Sequence, residues 1–448
     1  MRRNKSTIDN LIICCIQMGR IGVFIVLVSL LLQHVPCSAQ EIDICGCSES
    51  NDSLGDFNSV DENTWPSGTT RSGDAITIPL PDDGILIFDS FTVNGYPGFP
   101  TGNATIRFEL NEANTPVTLL VNGDVEIDTN DSINVNGENG RGRIGGMGGP
   151  GGFRGGDGAY QLMNFANDGG TGFGPGGGSG GKASDFVGDL DPFGIGGDGT
   201  FIGMPELLPM FGGSGGGGGS SSTNEINCSG GGGGGGGGAI LIAANGSITV
   251  NGNIFTTGGG RGQRGLSACS TSGGPGSGGA IRLIAKTITG NVNGRIEARN
   301  GANSTTDGLG IIRMESFAND FPDNRTIPVA TRSPSLGPLT NPLTPEVRIT
   351  HLNDDNDGLV PEIPLGGFGE VDVIMTSPGP LKVDLETKNV PDGTTVEVSV
   401  KPHVGGTPKT QSVTLDNCAN GECTVSTNFA SLDPGKYIIE ARATFQTP

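Results

Sequence analysis

Residues Val117–Ile127 (VTLLVNGDVEI) align without gaps with residues Ile240–Val250 (ILIAANGSITV), and an Asn-Gly pair falls at the same place in both. A third copy begins GAIRLIA at Gly279, and a fourth begins GIIRMES at Gly310. Each copy holds short β-type runs separated by Gly or Asn-Gly bends. This pattern is typical of a solenoid whose stacked copies bury their apolar rows against one another. The repeat therefore predicts a parallel β-helix.

Two glycine-rich insertions, at about 137–237 and 258–278, interrupt the repeat. Of the 82 glycines in the chain, 55 lie between positions 137 and 279, and nine of them are consecutive, Gly230–Gly238. From Gly137 to Gly158 glycine recurs at every third position except Arg143, which is the period of a polyproline-II helix. Ordering a residue costs about 1–2 kcal/mol, so a flexible loop is the alternative. The sustained period favours ordered packing.

Glycine becomes sparse after Thr344, and apolar residues begin to alternate with polar ones, as in Tyr437–Phe445. Short alternating runs separated by turn signals predict an immunoglobulin-like or fibronectin-like β-sandwich at 346–448. A linker is predicted at 327–345 and the β-helix domain at 40–326. The predicted fold class is all-β: a parallel β-helix with polyproline-II-like insertions, followed by the sandwich.

The N-terminus predicts a secretory signal peptide at 1–39, with an apolar run Ile21–Leu32 and small residues before a cleavage site near Ala39. Twelve apolar residues are too few to span a membrane. Whether translation starts at Met1 or Met18 is left open. The predicted location is secreted or on the cell surface, outside a bacterial envelope. A net charge of −21 argues against nucleic acid and anionic membranes as partners, and no stable membrane insertion of the mature chain is expected.

Six cysteines remain after the predicted signal peptide, and an even number in an exported chain suggests disulfides. Cys418 and Cys423 flank an Asn-Gly turn and are predicted to pair across a hairpin. Cys228 and Cys269 lie in separate glycine-rich loops and are suggested as a second bridge. A bridge across one residue is strained, so the expectation for Cys45 and Cys47 is either free thiols or a bond to a partner.

The segments Gly55–Asn58 (GDFN), Ala113–Val117 (ANTPV) and Asn122–Val125 (NGDV), followed by glycine-rich loops and GAIRLIA, carry a resemblance. This chain resembles secreted bacterial glycine-rich proteins with a pectin-lyase-like parallel β-helix, over about residues 52–316. Members of that group mostly have no assigned activity. The resemblance implies the fold and a surface location, and it transfers no catalytic residue.

The sequence predicts no catalytic residue, no metal and no cofactor. Arg282 and Arg313 occupy equivalent places in two copies, and we expect them to form an outward row of solvated side chains. His351 and His403 are expected to be solvent-exposed. The run Asn353–Gly358 imitates the first half of a calcium loop but has Pro364 where the pattern requires a bidentate Glu, so it is interpreted as a turn.

The leading hypothesis is an exported cell-surface or extracellular-matrix protein with a structural or adhesive role that includes carbohydrate binding. Its expected partner is a polysaccharide or another surface component. The alternatives are a polysaccharide lyase or hydrolase on a pectin-lyase-like β-helix, and a protein that binds ice or crystal surfaces. The candidate binding face is formed by side chains interleaved with the first periodic glycines: Arg141, Arg143, Met147, Phe153 and Arg154.

Overall fold

A computed structural model describes residues 42–444 apart from 49, 96–101, 161–166, 184–193, 222–228, 263–270, 340–344, 354–370, 404–407, 417 and 419–420. The described residues form a nearly all-β protein with large parallel sheets. Two single-turn 3₁₀ helices, Glu62–Thr64 and Asp323–Arg325, are the exceptions to strand, turn and loop in this part of the chain.

Sixteen strands precede residue 340, and they form two mainly parallel sheets. In chain order they are β1 (Asp56–Asn58), β2 (Thr70–Ser72), β3 (Ala75–Pro79), β4 (Ile85–Phe88), β5 (Ser90–Val93), β6 (Thr105–Glu109), β7 (Val117–Val121), β8 (Val125–Ile127), β9 (Ser132–Asn134), β10 (Ala239–Val250), β11 (Asn253–Phe255), β12 (Ala280–Thr289), β13 (Arg295–Glu297), β14 (Ile311–Asn319), β15 (Thr326–Ile327) and β16 (Thr331–Ser333).

The chain alternates between the two sheets from β9 to β16. One sheet has the path β1-β5-β8-β10-β12-β14-β16, with β4 and β7 beside it, and the other has the order β15-β13-β11-β9-β6-β3-β2. The register confirms the sequence repeat, because Val117 pairs with Ile240 and Ile240 pairs with Ile281. This alternation is compatible with a β-helix-like fold.

Aligned apolar rows form the core between these sheets. One row consists of a single residue type at five successive levels, and every member is fully buried: Ile76, Ile106, Ile133, Ile254 and Ile296. Burying one such side chain contributes about 1.5–3 kcal/mol. Because the side-chain period of a strand is two, a slip of one residue would move each Ile to the outside. The repeat therefore fixes the register as well as the fold.

The outer face of the larger sheet is partly apolar and is covered by two distant segments. Leu241, Ala243 and Ile284 pack there against Ile44, Cys45 and Cys47 from the start of the described chain, with Leu336 and Leu339 beside them. The parallel sheet itself continues to Ser333, within the segment predicted as a linker. We call residues 336–339 the strap.

The remaining strands are antiparallel and form two sheets around a separate apolar core. They are β17 (Glu346–Asn353), β18 (Val373–Met375), β19 (Gly379–Lys388), β20 (Thr395–Pro402), β21 (Lys409–Thr414), β22 (Glu422–Leu432) and β23 (Gly435–Ala443). The sheet orders are β17-β19-β22 and β18-β23-β20-β21. In β23, Tyr437 and Ile439 belong to this core as the alternation predicted, but Ile438 between them is buried as well.

Candidate functional site

The nine consecutive glycines lie at the centre of the glycine-rich insertions. All nine residues, Gly230–Gly238, are buried. Their N–H groups donate in turn to three neighbouring segments, so that every third residue bonds to the same one. The pairs, 2.7–3.0 Å long, are Gly230–Ala159, Gly233–Gly156 and Gly236–Phe153; Gly231–Thr271, Gly234–Gly274 and Gly237–Ser277; and Gly232–Gly142, Gly235–Glu138 and Gly238–Val135.

The carbonyl groups of the same run accept from three further segments. These segments are 146–149, 213–219 and 259–262, which bond through Gly146 and Gly149, through Gly213, Gly216 and Gly219, and through Gly259 and Gly262. Six segments therefore surround one, and we call the central run with these neighbours the glycine lattice. A buried run bonded on every side satisfies its backbone polar groups without side chains.

The lattice leaves no room for side chains at its centre. A Cβ atom built on any of the nine central glycines would meet backbone atoms at less than 3.0 Å, which real Cβ atoms essentially never show. Glycine is therefore required here by the close approach of neighbouring backbones. The hydrogen bonds offset the entropic cost of ordering these residues, and they favour the ordered hypothesis over the flexible loop.

A tight turn projects from the lattice and carries two arginines. The N–H and C=O groups of Arg141 bond to those of Ile144 at 2.9 and 3.0 Å, and Gly142 has a φ of +56°. The carbonyl of Gly142 accepts from Gly232 of the central run, and the carbonyl of Arg143 accepts from Gly158 (both 2.7 Å). The backbone of this arginine turn, residues 141–144, is thereby fixed to two lattice segments.

The side chains on this turn and next to it are exposed. Arg141 and Arg143 are exposed, and the exposed fractions of Ile144 and Tyr160 are 62% and 61%. The guanidinium carbon of Arg143 lies 4.6 Å from the centroid of the Tyr160 ring, which is cation–π geometry. Met147 is also exposed, at 39%. No sequence pattern singled out Ile144.

Two residues of the predicted binding face do not point outward. Arg154 is half-buried and pairs with Asp157 at 2.6 Å, and the same Asp157 oxygen accepts from the Gly145 N–H at 2.8 Å. Phe153 is half-buried, and its ring lies where a Cβ on Gly174 would collide with it. Both side chains therefore support the lattice from inside. The outward-facing part of the predicted face is Arg141, Arg143 and Met147.

The expectation of a solvated row at Arg282 and Arg313 was wrong. Arg282 is 1% exposed and its Nε lies 2.9 Å from Oε1 of the fully buried Glu315, which Arg313 also contacts at 2.6 Å. The strap closes over them, since Arg282 Nη2 donates to the Pro338 carbonyl at 3.0 Å and the Gly337 N–H donates to Glu315. Burial alone would raise the pKa of Glu315, but the hydrogen bonds from both arginines outweigh it and lower that pKa.

His351 is exposed as expected, but the expectation for His403 was wrong. His403 is 7% exposed, and its carbonyl accepts from the Thr171 N–H at 2.9 Å. Its ring lies 5.6 Å from that of Phe173, and Nε2 has no hydrogen-bond partner among the described residues. Burial lowers the pKa of His403; Asp157 opposes this shift, while Arg154 and Lys436 add to it.

Acidification is expected to weaken the fold through His403. A histidine whose pKa is lowered by folding contributes stability above its unfolded value of 6.5, and this is lost as pH falls through the folded pKa. Asp131 and Asp372 have pKa values raised to about 6 and act in the opposite direction in the same range. The measurement is therefore a difference: the unfolding free energy of the native chain minus that of His403→Phe, from pH 8 to 5. This difference should become less positive, or more negative, as the pH falls, because only the native chain loses the contribution of His403. A difference that stays constant or becomes more positive would contradict the prediction.

Cys418 and Cys423 lie at disulfide distance, with their Cα atoms 4.7 Å apart. Cys45 and Cys47 also lie at disulfide distance, which differs from the expectation of free thiols. Gly46 adopts a φ of +62°, and the Cys45 and Cys47 N–H groups donate to Asn245 and Asp43, so the chain reverses sharply enough to bring the sulfurs together. The suggested Cys228–Cys269 bridge lies outside the described residues.

Non-reducing peptide mapping is expected to recover Cys418 and Cys423 in one linked fragment. Their Cα separation suits a disulfide; Cys423 lies in β22, and Cys418 lies a few residues before that strand. The loop they close is short, so removing the bond by Cys418→Ser/Cys423→Ser should cost less than a long-loop disulfide would. Recovery of either cysteine as a free thiol, or bonded to another cysteine, would contradict the prediction.

The described residues contain two groups with metal-ligand chemistry, each with one carboxylate and two cysteines. They are Asp43 with Cys45 and Cys47, and Asp392 with Cys418 and Cys423. In each group the two sulfurs lie at disulfide distance from one another. A disulfide sulfur is not the thiolate that binds zinc. Each group therefore offers a single carboxylate ligand in this state.

One serine, aspartate and histidine come together on the antiparallel sheets. Ser426 Oγ donates to Asp384 Oδ1 at 2.5 Å, and His351 lies opposite Asp384 on the neighbouring strand. In a nucleophilic triad the histidine lies between the serine and the acid so that it can remove the hydroxyl proton. Here the serine bonds to the acid directly, so these three residues do not form such a triad.

Comparison with family models, with curated proteins and with solved structures found no significant match. The resemblance to secreted glycine-rich proteins consequently stays a prediction from the motifs. In the part of the chain that the structure describes, no helix has the length and apolar character needed to cross a membrane.

Proposed function

We propose that this chain is an exported surface or matrix protein with an adhesive role. In this proposal residues 40–333 form a parallel β-helix that serves as a stalk, and 346–448 form an immunoglobulin-like sandwich. The insertions are packed polyproline-II-like helices that display the arginine turn. The glycine lattice is the observation that carries the proposal, because an ordered backbone holds exposed side chains at fixed positions.

Two features of the described residues favour a binding role for the glycine-rich insertions over a role in packing alone. The turn is bonded to the central run and to Gly158, so its ordering cost is met before any ligand arrives. Seven exposed large apolar side chains also lie in the glycine-rich insertions: Ile144, Met147, Tyr160, Ile195, Ile202, Met204 and Phe211. Exposed apolar side chains held on an ordered scaffold are available for contact with a partner.

The export part of the proposal is tested by expressing the full chain in a bacterial host. The mature N-terminus should lie near Gln40, and the chain should be digested by protease added to intact cells. Retention inside the cell with an intact N-terminus would contradict it.

The adhesive part is tested with beads coated with the purified mature chain. Coated beads should adhere to a layer of extracted bacterial surface polysaccharide, whereas beads carrying Gly234→Ala, which disrupts the lattice, should not. Gly379 offers a matched control, because a Cβ there makes only an ordinary contact, 3.5 Å from the Met375 methyl carbon. Equal adhesion by Gly234→Ala and native beads would contradict a role for the ordered lattice.

A further inference from the structure

We infer that the arginine turn and Tyr160 bind an anionic polysaccharide, one whose sugars carry carboxylate or sulfate groups. This inference rests on the adhesive function proposed above and names its ligand. Arg141 and Arg143 are exposed and form no ion pair with any residue that the structure describes, whereas the charge of Arg154 nearby is neutralised by Asp157. The turn is therefore a small positive surface on a chain of net charge −21.

The chemistry of this surface fits a charged sugar. A guanidinium group offers a planar pair of N–H donors that matches a carboxylate or sulfate. The Tyr160 ring, 61% exposed, gives a flat apolar face for the C–H groups of a sugar ring and a hydroxyl group for hydrogen bonding. The guanidinium carbon of Arg143 lies over this ring, 4.6 Å from its centroid, so the contact holds the charged group next to the part of the ring that remains exposed.

The fixed backbone of the turn favours affinity. Gly142 and Arg143 bond to the lattice through their carbonyls, and Gly145 bonds to Asp157. Binding therefore orders two side chains rather than a loop, which reduces the entropic cost of association.

The same arginines and Ile144 could contact an anionic membrane, but the charge of the whole chain favours the polysaccharide. A membrane is an extended negative plane and would face much of the acidic surface. A single polysaccharide strand touches the turn alone, and charges farther than about 8–10 Å away are screened at physiological salt. The negative net charge of the protein therefore opposes binding to a membrane more than it opposes binding to a single polysaccharide chain.

The experiment titrates the purified mature chain with polygalacturonate, dextran sulfate, neutral dextran and phosphatidylserine vesicles. We expect binding to at least one of the two polyanions and none to neutral dextran or vesicles, with affinity that falls as salt rises. Arg141→Gln/Arg143→Gln should weaken binding at least tenfold. Arg107→Gln, which removes an exposed arginine from β6, should leave it unchanged. Tyr160→Ala should weaken binding, and Tyr160→Phe should retain most of it.

Equal affinity of the double arginine variant and the native chain would overturn the inference, as would preferential binding to vesicles or to neutral dextran. If neither polyanion binds while native beads still adhere in the bead assay, the ligand assignment fails and the adhesive function stands. If adhesion is absent as well, both fail. Thermal unfolding of each variant distinguishes loss of the site from loss of the fold.

Discussion

Gly234→Ala and Gly259→Ala are each expected to destabilise the protein strongly, by about 3 kcal/mol or more, at the upper end of the cost of overpacking. A Cβ on Gly234 would collide with the Gly259 backbone, and a Cβ on Gly259 would collide with the backbone of Glu138. Backbone atoms bonded on several sides cannot move aside as a flexible side chain can. Thermal unfolding monitored by circular dichroism should show a fall in Tm of about 5 °C or more.

Gly260 is the matched control, one residue farther along the same segment. A Cβ there would lie 3.1 Å from the Asn139 side-chain oxygen and 3.3 Å from the Gly301 carbonyl, so a small shift accommodates it. Gly260→Ala should cost about 1 kcal/mol or less. A flexible insertion would give the opposite sign at all three positions, because alanine then stabilises by about 0.4–1 kcal/mol through the unfolded chain. An unchanged or raised Tm for Gly234→Ala would therefore contradict the ordered packing of the lattice.

The second large effect is expected at Glu315. Glu315→Gln removes the only carboxylate among the described residues that contacts Arg282, which is 1% exposed, and leaves two guanidinium groups near one another. Removing one partner of a buried ion pair costs about 3–5 kcal/mol. Because folding lowers the pKa of Glu315, its contribution is present above the unfolded value of 4.5 and is lost as pH falls through the folded pKa. Denaturant unfolding at pH 7 and pH 4 should show the smaller loss at pH 4.

Glu440→Gln provides the comparison, since the Lys401–Glu440 pair has the same 2.6 Å separation as the Arg313–Glu315 pair, but both of its side chains are more than a fifth exposed. Its loss should be about 0–1 kcal/mol. Adding Arg282→Met to Glu315→Gln should recover part of the stability, because the uncompensated buried charge is removed. If Glu315→Gln and Glu440→Gln lower the unfolding free energy equally, burial of the Arg282–Glu315 pair under the strap adds no stability beyond that of an exposed pair.

Much of the parallel-sheet region could be predicted because its repeat is local and periodic. Asn122–Gly123 lies between β7 and β8, and Asn245–Gly246 lies beside it at the register irregularity within β10, where the Gly246 N–H bonds to the Gly123 carbonyl as the alignment predicts. Because successive copies of the repeat pair in register, the alignment of two strands predicts the register of the next strand. The glycine period likewise predicted where backbones pack closely.

The candidate site was predicted only in part. Arg141 and Arg143 were predicted because they stand among the periodic glycines, but that position alone does not decide whether a side chain projects from the lattice or faces into it. Phe153 and Arg154 have the same spacing but face inward, since Asp157 and Gly174 lie beside them in space. The signal that could have separated them is Asp157, three residues after Arg154, a spacing compatible with an ion pair.

The sequence by itself determined the all-β class and the parallel register of the repeat, because both depend on repeated local patterns. Only the tertiary structure decided that Arg282 is buried and that His403 lies against the lattice. Arg282 lies in a strand whose outward side would be solvated if the strap, more than fifty residues later, did not cross it. Whether an outward side chain is buried depends on which distant segment covers it. The local spacing of residues carries no information about that contact.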